Sequence, residues 1–267
     1  MASFIDRVFK RKIGLALGGG GARGAAHLGV LNLLNDKKIG IESISGTSAG
    51  AIVAAFYAFG ISLDDMAKDL KTYKPVDISS LHINSLGIFK NKPLSKLVDR
   101  YLPEGAKIED ARIPLAIHTT DISTGEGVTL YKGDLKDALL ASSCVPGIYI
   151  PKPINDRILV DGGLTENVPL SALNKLGAGF KIAVNLNGSY SYQKPDSIID
   201  MATNSLDIAI DLSTREQIEK EADLAINLSL VQFSRTSAIH FDELVRAGYE
   251  QGERALKMAN EKSFIDL

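Results

Sequence analysis

The stretch that decides the fold is residues 13–31, IGLALGGGGARGAAHLGVL. Its first five residues are apolar or glycine, as in a short buried strand, and four consecutive glycines follow from Gly18 to Gly21. The stretch then continues with helical character, because Leu28 and Leu31 fall on one stripe. A strand, a glycine turn and a helix in this order predict the first unit of an α/β sheet.

A second strand and a second helix follow directly. Residues 41–44 read as a strand that is cut short by Gly46, and residues 51–59 are apolar on every side. A helix without a polar face is typical of one buried between a sheet and other elements. The alternation of strands and helices with short connections predicts a mostly parallel sheet that is covered on both faces.

Predicted strands and helices follow one another through the rest of the chain, except in residues 75–95, whose apolar side chains have no clean periodicity. We find no internal repeat, low-complexity segment or long linker, so we expect one domain over residues 13–267 after a basic amphipathic segment, 1–12. The predicted strands are 114–119, 127–131, 157–160, 181–186 and 224–228, and the predicted helices are 94–102, 134–142, 169–176 and much of 197–260.

Length and composition exclude several classes of protein. The chain has 267 residues, which suits one large domain, and its net charge of −2 gives no basic field for nucleic acid. The single cysteine, Cys144, cannot form an internal disulfide, and no clustered Cys/His pattern suggests zinc. We therefore expect a reducing, cytoplasmic setting, with no metal, no cofactor and no nucleic-acid partner.

The N-terminal segment and the apolar stretches bear on membrane contact. In residues 1–12 the apolar residues precede the basic ones, which is the reverse of a secretory signal. The longest nearly uncharged stretch, 46–63, is shorter than the roughly 20 apolar residues that a membrane span needs. Two hypotheses stay open for residues 1–12: a helical turn packed on the domain, or peripheral contact with the inner membrane surface.

The glycine run from Gly18 to Gly24 is suited to bind an anion, because its backbone amides can converge where no side chain intervenes. The anion could be a pyrophosphate or the oxyanion of an acyl-transfer intermediate. A dinucleotide site requires an acidic residue at the end of the second strand, and Glu42 opens that strand instead. No Gly-Lys-Ser/Thr follows the glycines either. A nucleotide-binding module remains an alternative that titration with dinucleotides would test.

The second strand leads into GTSAG, residues 46–50, directly before the buried helix. A GxSxG sequence at a strand-to-helix turn exposes the serine oxygen at the tip of the sheet. Gly46 and Gly50 allow the strand and the helix to approach the sharply turned Ser48. Because the glycine run and this turn both follow strands, we expect them to meet at one edge of the sheet, where open α/β sheets bind ligands.

Two candidates compete as the base for Ser48. In an α/β-hydrolase the catalytic residues follow in the order Ser, Asp, His, and here the histidine would be His240. In that fold several strands precede the nucleophile, whereas there is room for only two strands before Ser48. We expect His240 to be a solvated residue at the head of a helix. Asp161 is the better candidate, because an apolar strand ends at this residue and because Gly162 and Gly163 allow the chain to turn tightly directly after it.

Together these segments resemble the patatin-like phospholipases, and specifically their short bacterial members. The resemblance covers roughly residues 13–190, and the region beyond is only loosely similar. The motifs that carry it are GGGGARGAAHLGVL at 18–31, GTSAG at 46–50, TDISTGEGV at 120–128, SSCVPGIYIPKP at 142–153 and DGGLTENVP at 161–169.

The resemblance implies a three-layer α/β/α fold and lipid acyl hydrolase activity of the phospholipase A or lysophospholipase type. It assigns Ser48 as nucleophile and Asp161 as base, without a histidine or a metal. It also implies that Arg23 fixes the glycine loop. The same loop, through the amides of Gly19, Gly20 and Gly21, would form the oxyanion hole, with Gly24, Gly46, Gly50, Gly162 and Gly163 in supporting positions.

Several weaker candidates and alternatives complete the sequence-based picture. We expect Cys144 to be a packing residue, Asp121 to hydrogen-bond within its turn, and Asn167 to tie down the Asp161 loop. The apolar segment 78–90 is either a mobile lid with peripheral membrane contact or core beneath a loop. An acyltransferase that uses the same acyl-serine would share these motifs, and product analysis with and without an acyl acceptor separates it from a hydrolase. A silent lipid-binding regulator is a second alternative, against which the intact Ser48, Asp161 and glycine loop speak.

Overall fold

The computed structural model describes residues 11–73, 81–84 and 86–265. The strands are β1 Ile13–Leu17, β2 Ser43–Thr47, β3 Leu81–Asn84, β4 Gly87–Phe89, β5 Leu115–Asp121, β6 Gly127–Leu130, β7 Pro153–Ile154, β8 Arg157–Asp161, β9 Phe180–Asn185 and β10 Leu224–Asn227. The α-helices are α1 Ala26–Asp36, α2 Ala49–Ala58, α3 Leu63–Leu70, α4 Lys92–Tyr101, α5 Leu135–Ser142, α6 Leu170–Lys175, α7 Ile198–Glu221 and α8 Phe241–Ile265.

Within these residues, eight strands form one mixed sheet in the order β10-β9-β1-β2-β5-β8-β7, with β6 paired to β5. The strands from β10 to β5 run parallel, whereas β6, β7 and β8 are antiparallel to their neighbours. β1 lies inside the sheet, between β9 and β2, and all five of its residues are buried. This explains why its sequence is apolar without interruption, as in a strand covered on both faces.

The two faces of β1 bury two different sets of helices. Leu15 and Leu17 point into a large core formed with α1, α2 and α8. Ala16 points to the opposite face, where it packs in a smaller core with Leu173 of α6 and Ile218 of α7. Since consecutive strand residues face opposite sides, this single strand binds both helical layers to the sheet. The expected three-layer α/β/α fold with a mostly parallel sheet is confirmed.

Most predicted elements are present, and before residue 190 their ends differ from the predicted ones by at most three residues. The second strand begins at Ser43 instead of residue 41 and ends at Thr47 instead of residue 44. The aperiodic region 75–95 contains the β3–β4 hairpin and the first turn of α4, while residues 75–80 and 85 lie outside the described residues. In the part of the chain that the structure describes, no helix combines the length and apolarity needed to cross a bilayer.

Helix α3 is an element that the sequence analysis did not predict. It is short, and Met66 is its one fully buried side chain although Leu63, Met66, Ala67 and Leu70 follow helical spacing, so burial does not mark where it begins. Local chemistry defines its start instead: the Ser62 hydroxyl accepts a hydrogen bond from the Asp65 amide at 3.1 Å, and two acidic residues lie in the first turn. Such a cap typically stabilises a helix by about 1 kcal/mol.

Helices α1 and α8 touch at backbone distance through a pair of glycines. A Cβ on Gly29 would lie 1.9 Å from the Val245 carbonyl oxygen, and one on Gly248 would lie 2.0 Å from the Ala26 carbonyl oxygen. Because α1 continues directly from the glycine loop, this contact fixes the helix that follows the loop.

We expect Gly29→Ala to destabilise the protein by about 1–3 kcal/mol, although alanine normally favours a helix by about 1 kcal/mol over glycine. The added methyl group has to push α8 away. Gly40→Ala is the matched control, because a Cβ there meets nothing within 4 Å. Urea unfolding of both variants measures the difference, and equal stabilities would contradict the tight α1–α8 contact.

Candidate active site

The glycine loop leaves β1 and enters a short 3₁₀ helix, Gly21–Ala25. The Gly18 amide donates to the Val184 carbonyl oxygen at 3.0 Å. The Gly19 amide donates to Asn167, to its side-chain oxygen at 3.2 Å and its carbonyl oxygen at 3.3 Å. The fold therefore uses these first two amides to hold the loop in place.

The next two amides are different. Those of Gly20 and Gly21 make no hydrogen bond to any residue that the structure describes, and both glycines line a pocket. Gly21 has φ 60°, a backbone conformation that residues with a side chain rarely adopt. A Cβ at this position would also lie 2.4 Å from the Arg235 carbonyl oxygen, so there is no space for a side chain. Two unpaired amides beside a pocket are suited to stabilise a negatively charged oxygen.

The Arg23 side chain binds the glycine loop to the segment that precedes α8. This side chain is buried, with Nε donating to the Phe233 carbonyl oxygen at 2.9 Å and Nη2 to the Val231 carbonyl oxygen at 3.3 Å. Burial, with the nearby Arg235 guanidinium, lowers the pKa of Arg23 to about 10, so it stays charged at neutral pH. The loop is thus tied to a segment more than 200 residues away in sequence, as a loop-fixing role for Arg23 requires.

Ser48 lies at the turn between β2 and α2 with φ 52° and ψ −121°. This left-handed region is unfavourable for a residue with a side chain and typically costs on the order of 1–3 kcal/mol. Its glycine neighbours are required by close approach: a Cβ on Gly50 would lie 2.1 Å from the Leu17 carbonyl oxygen, and one on Gly46 2.5 Å from the Gly50 carbonyl oxygen. The turn thus presents the Ser48 side chain at the pocket.

The order of the strands brings Asp161 to the same place. β2 and β5 pair so that Thr47 lies opposite His118, and β5 pairs with β8 so that Thr119 lies opposite Asp161. Ser48 and Asp161 both line the pocket, and the Ser48 hydroxyl is near enough to the Asp161 carboxylate to lower its pKa as a hydrogen-bond donor. The structure therefore brings together the hydroxyl and the carboxylate that the sequence pattern indicated.

The surroundings of Asp161 change its acidity. Burial raises the pKa of its carboxyl to about 6, while hydrogen bonds from the Gly163 amide, at 2.9 Å, and from the Ser48 hydroxyl oppose this shift. The carboxylate keeps some accessible surface because it lines the pocket. Gly162, directly behind it, packs so tightly that a Cβ would lie 2.4 Å from the His118 carbonyl oxygen.

The remaining pocket wall is mostly apolar. Its lining side chains come from α2, from the end of α3, from the segment after α5 and from the start of α8, and include Ile52, Leu70, Tyr73, Ile148, Tyr149 and Phe241. A wall of this kind favours the hydrocarbon part of a ligand.

One side of the pocket comes from the C-terminal part of the chain, which the sequence analysis did not assign to the site. Leu206, Asp207 and Ile210 of α7 line it together with Arg235, whose guanidinium forms an ion pair with the Asp207 carboxylate. Burial raises the pKa of Asp207 to about 6, although Arg235 opposes the shift. No motif marks these residues, because they reach the pocket only through the packing of α7 and of the loop before α8.

The described histidines lie away from the pocket lining. His27 is fully buried, bonded through Nε2 to the Gly18 carbonyl oxygen at 2.8 Å, and burial lowers its pKa to about 4. His118 is buried in β5, and His240 is exposed just before α8, as expected for a solvated residue at a helix start. The side chain of His82 lies outside the described residues.

Cys144 is a buried free thiol that packs with Ile148, Tyr149 and Val160, in keeping with its expected packing role. Burial raises its pKa to about 12, so it remains a neutral thiol. Within the described residues, no group of three or more His, Cys, Asp or Glu side chains is arranged to hold a metal ion.

These features first define a class: α/β/α proteins in which a serine turn, a glycine loop and an aspartate meet at the tips of neighbouring strands. The model of the patatin-like phospholipase family matches residues 15–174, more than half of the chain. The chain belongs to this family.

Two sequence relatives show how far the similarity extends. An uncharacterised NTE family protein of Mycobacterium tuberculosis is 35% identical over 181 residues, which cover 67% of this chain and 50% of the relative. Lysophospholipase NTE1 of Mycosarcoma maydis is 32% identical over 202 residues, which cover 69% of this chain and 10% of that protein. The chain thus spans about half the length of the mycobacterial relative and a much smaller part of the fungal one.

Two solved structures share the fold. VipD from Legionella pneumophila superposes with a TM-score of 0.53 at 16% identity, covering 93% of this chain and 67% of VipD. The type III effector protein ExoU gives a TM-score of 0.51 at 15% identity, covering 93% of this chain and 53% of ExoU. At these identities the similarity concerns the fold alone.

The raised pKa of Asp161 predicts a pH-dependent change in stability. The ionised carboxylate is disfavoured in the folded state, so the wild type loses stability as the pH rises from 3.8 through about 6. Asp161→Asn stays neutral, and we expect it to be more stable than wild type by about 3 kcal/mol at pH 8 and by much less near pH 4. Urea unfolding across this range measures the gap, and a gap independent of pH would contradict the raised pKa.

Proposed function

We propose that this chain is a serine esterase that hydrolyses lipid acyl esters, with Ser48 as nucleophile and Asp161 as general base. The observation that carries the proposal is the proximity of the Ser48 hydroxyl to the Asp161 carboxylate, whose pKa it lowers as a hydrogen-bond donor, in a pocket beside the unpaired Gly20 and Gly21 amides. A nucleophile, a proton acceptor and donors for a developing oxyanion are the parts that acyl transfer requires.

In the first half of the reaction, the Ser48 oxygen attacks the ester carbonyl carbon while its proton moves to the Asp161 carboxylate. A carboxyl whose pKa is about 6 is a stronger base than an ordinary aspartate and is still mostly ionised at neutral pH. The carbonyl electrons move onto oxygen, which the Gly20 and Gly21 amides stabilise. The Gly19 amide, already bonded to Asn167, positions the loop instead of binding this oxygen in our proposal.

The second half returns the enzyme to its starting state. The tetrahedral intermediate collapses, and Asp161 gives its proton to the departing alcohol, which leaves an acyl group on Ser48. Water then attacks the acyl carbon and transfers a proton to Asp161. The second intermediate collapses to release the carboxylic acid, and the proton returns to the Ser48 oxygen.

The pocket supports a lipid as the source of the ester. Its apolar wall, which includes Ile52, Leu70 and Ile148, is suited to an acyl chain. Family membership and the similarity to Lysophospholipase NTE1 support a substrate of the phospholipid or lysophospholipid class.

Peripheral membrane contact through residues 1–12 or 78–90 is part of the same proposal. Residues 1–10, 78–80 and 85 lie outside the described residues. In the described part of the second segment, Leu86 and Ile88 are 52% and 40% exposed, which supports contact with an apolar surface. Gly87, between them, packs beside the backbone of the pocket-lining Tyr149.

The assignment of the two reacting residues predicts the behaviour of Ser48→Ala and Asp161→Asn. We expect each to lower the kcat for p-nitrophenyl ester hydrolysis by at least about 1000-fold, because each removes a group that takes part in bond making. Circular dichroism confirms that the variants are folded. A folded variant with wild-type turnover, or a fluorophosphonate label on a serine other than Ser48, would refute the mechanism.

The same assignment predicts the pH profile of the wild-type enzyme. Asp161 must be ionised to accept the proton, so we expect kcat/KM to fall as the pH drops below the value of about 6. A chromophoric ester read at its isosbestic wavelength, between about pH 4.5 and 8, gives this profile. Full activity at the acid end of that range would exclude a base with this pKa, provided that the fold persists there.

A further inference from the structure

The first residues of the motif at 142–153 take no part in the bond-making steps described above, although they are hydrogen-bonded to the backbones of both reacting residues. Ser142 is the last residue of α5 and is fully buried. Its hydroxyl oxygen accepts a hydrogen bond from the Ser48 backbone amide at 2.9 Å and donates to the His118 carbonyl oxygen at 2.7 Å. Both bonds are therefore shielded from water.

The same short segment also holds the base. The Cys144 carbonyl oxygen accepts a hydrogen bond from the Asp161 backbone amide at 3.0 Å. Ser142 and Cys144 are two residues apart, so one stretch of chain is bonded to the backbone of the nucleophile and to the backbone of the proton acceptor. The third contact, with His118, connects this stretch to the central sheet.

The Ser48 amide is an important group to hold, because Ser48 has an unfavourable backbone conformation. Its φ of 52° persists only when the surroundings oppose relaxation. A rotation of this turn would swing the hydroxyl oxygen away from Asp161. Misplacing a reacting atom by about 1 Å can cost roughly 100-fold in rate.

We propose that Ser142 is a positioning residue for this reaction: its hydroxyl fixes the strained backbone of Ser48 and so sets the separation between the nucleophile and Asp161. The inference rests on the proposed esterase function. It assigns to Ser142 a task beyond filling the core, because its bonding partner is the backbone amide of the nucleophile.

Ser142→Ala tests this role against the matched control Ser45→Ala. Ser45 is also a fully buried serine, and its hydroxyl donates to a carbonyl oxygen, that of Pro169, at 2.8 Å. Each variant thus loses one buried hydroxyl that is bonded to a backbone carbonyl, but Ser142→Ala alone frees the Ser48 amide. Ser142→Cys is the conservative variant, because its side chain is of similar size and its sulfur is a weaker hydrogen-bonding atom.

We expect Ser142→Ala to lower kcat for p-nitrophenyl ester hydrolysis by about 10- to 100-fold with KM changed less than about threefold. The rate of fluorophosphonate labelling at Ser48 falls by a similar factor, and Ser142→Cys lies between wild type and Ser142→Ala. The lower limb of the pH profile moves to higher pH, because the Asp161 carboxyl loses the Ser48 hydroxyl, whose hydrogen bonding opposes the rise in its pKa.

A kcat for Ser142→Ala no lower than that of Ser45→Ala would overturn the inference, as would a loss that appears only in KM. All rates are measured well below the unfolding temperature of each variant, so that a stability loss does not enter them. The proposed function fails separately, if Ser48→Ala retains wild-type turnover. If Ser142→Ala does not fold, the comparison of Ser142→Cys with wild type and Ser45→Ala decides by the same criteria.

Discussion

The approach of the Ser48 hydroxyl to the Asp161 carboxylate requires segments of the chain that are 113 residues apart in sequence to meet within hydrogen-bonding reach. The sheet provides this meeting point, because β2, β5 and β8 are neighbours and their pairing aligns Thr47, His118, Thr119 and Asp161. The glycine loop joins them because β1 pairs with β2 on the other side. The geometry of the site thus follows from strand order.

The site works against the stability of the fold in three ways. Ser48 has a left-handed backbone, Asp161 is a carboxyl in surroundings that disfavour its charge, and Gly20 and Gly21 keep unpaired amides. The layers around the sheet stabilise what the site destabilises, chiefly the core between β1, α1 and α8. We interpret the rigid β1 and the tight α1–α8 contact as the support that keeps these unfavourable groups in place.

Sequence reasoning succeeds here where a signal is local. The strand before Gly18, the serine turn and the strand that ends at Asp161 each occupy fewer than ten consecutive residues, and all three were predicted from their own pattern. It fails where the decisive contact is distant. Nothing near Gly19 in sequence indicates that Asn167, 148 residues away, takes its amide.

The side of the pocket that α7 and Arg235 form could not be predicted from the sequence for the same reason. Its residues carry no motif, and the ion pair between Arg235 and Asp207 depends on how a long helix packs against the loop before α8. The role of Ser142 was also invisible, since a serine at the end of a helix is commonplace and its significance lies in its partner, the Ser48 amide.

The central claim is that one hydroxyl, one carboxylate and the Gly20 and Gly21 amides act together on a single carbonyl group. A crystal structure of the protein inactivated with an alkyl fluorophosphonate tests it most directly, because the phosphonate oxygen imitates the oxyanion. We predict phosphorus bonded to the Ser48 oxygen and a phosphonate oxygen within about 2.7–3.1 Å of both glycine amides. A phosphonate on another residue, or an oxygen held away from these amides, would contradict the account.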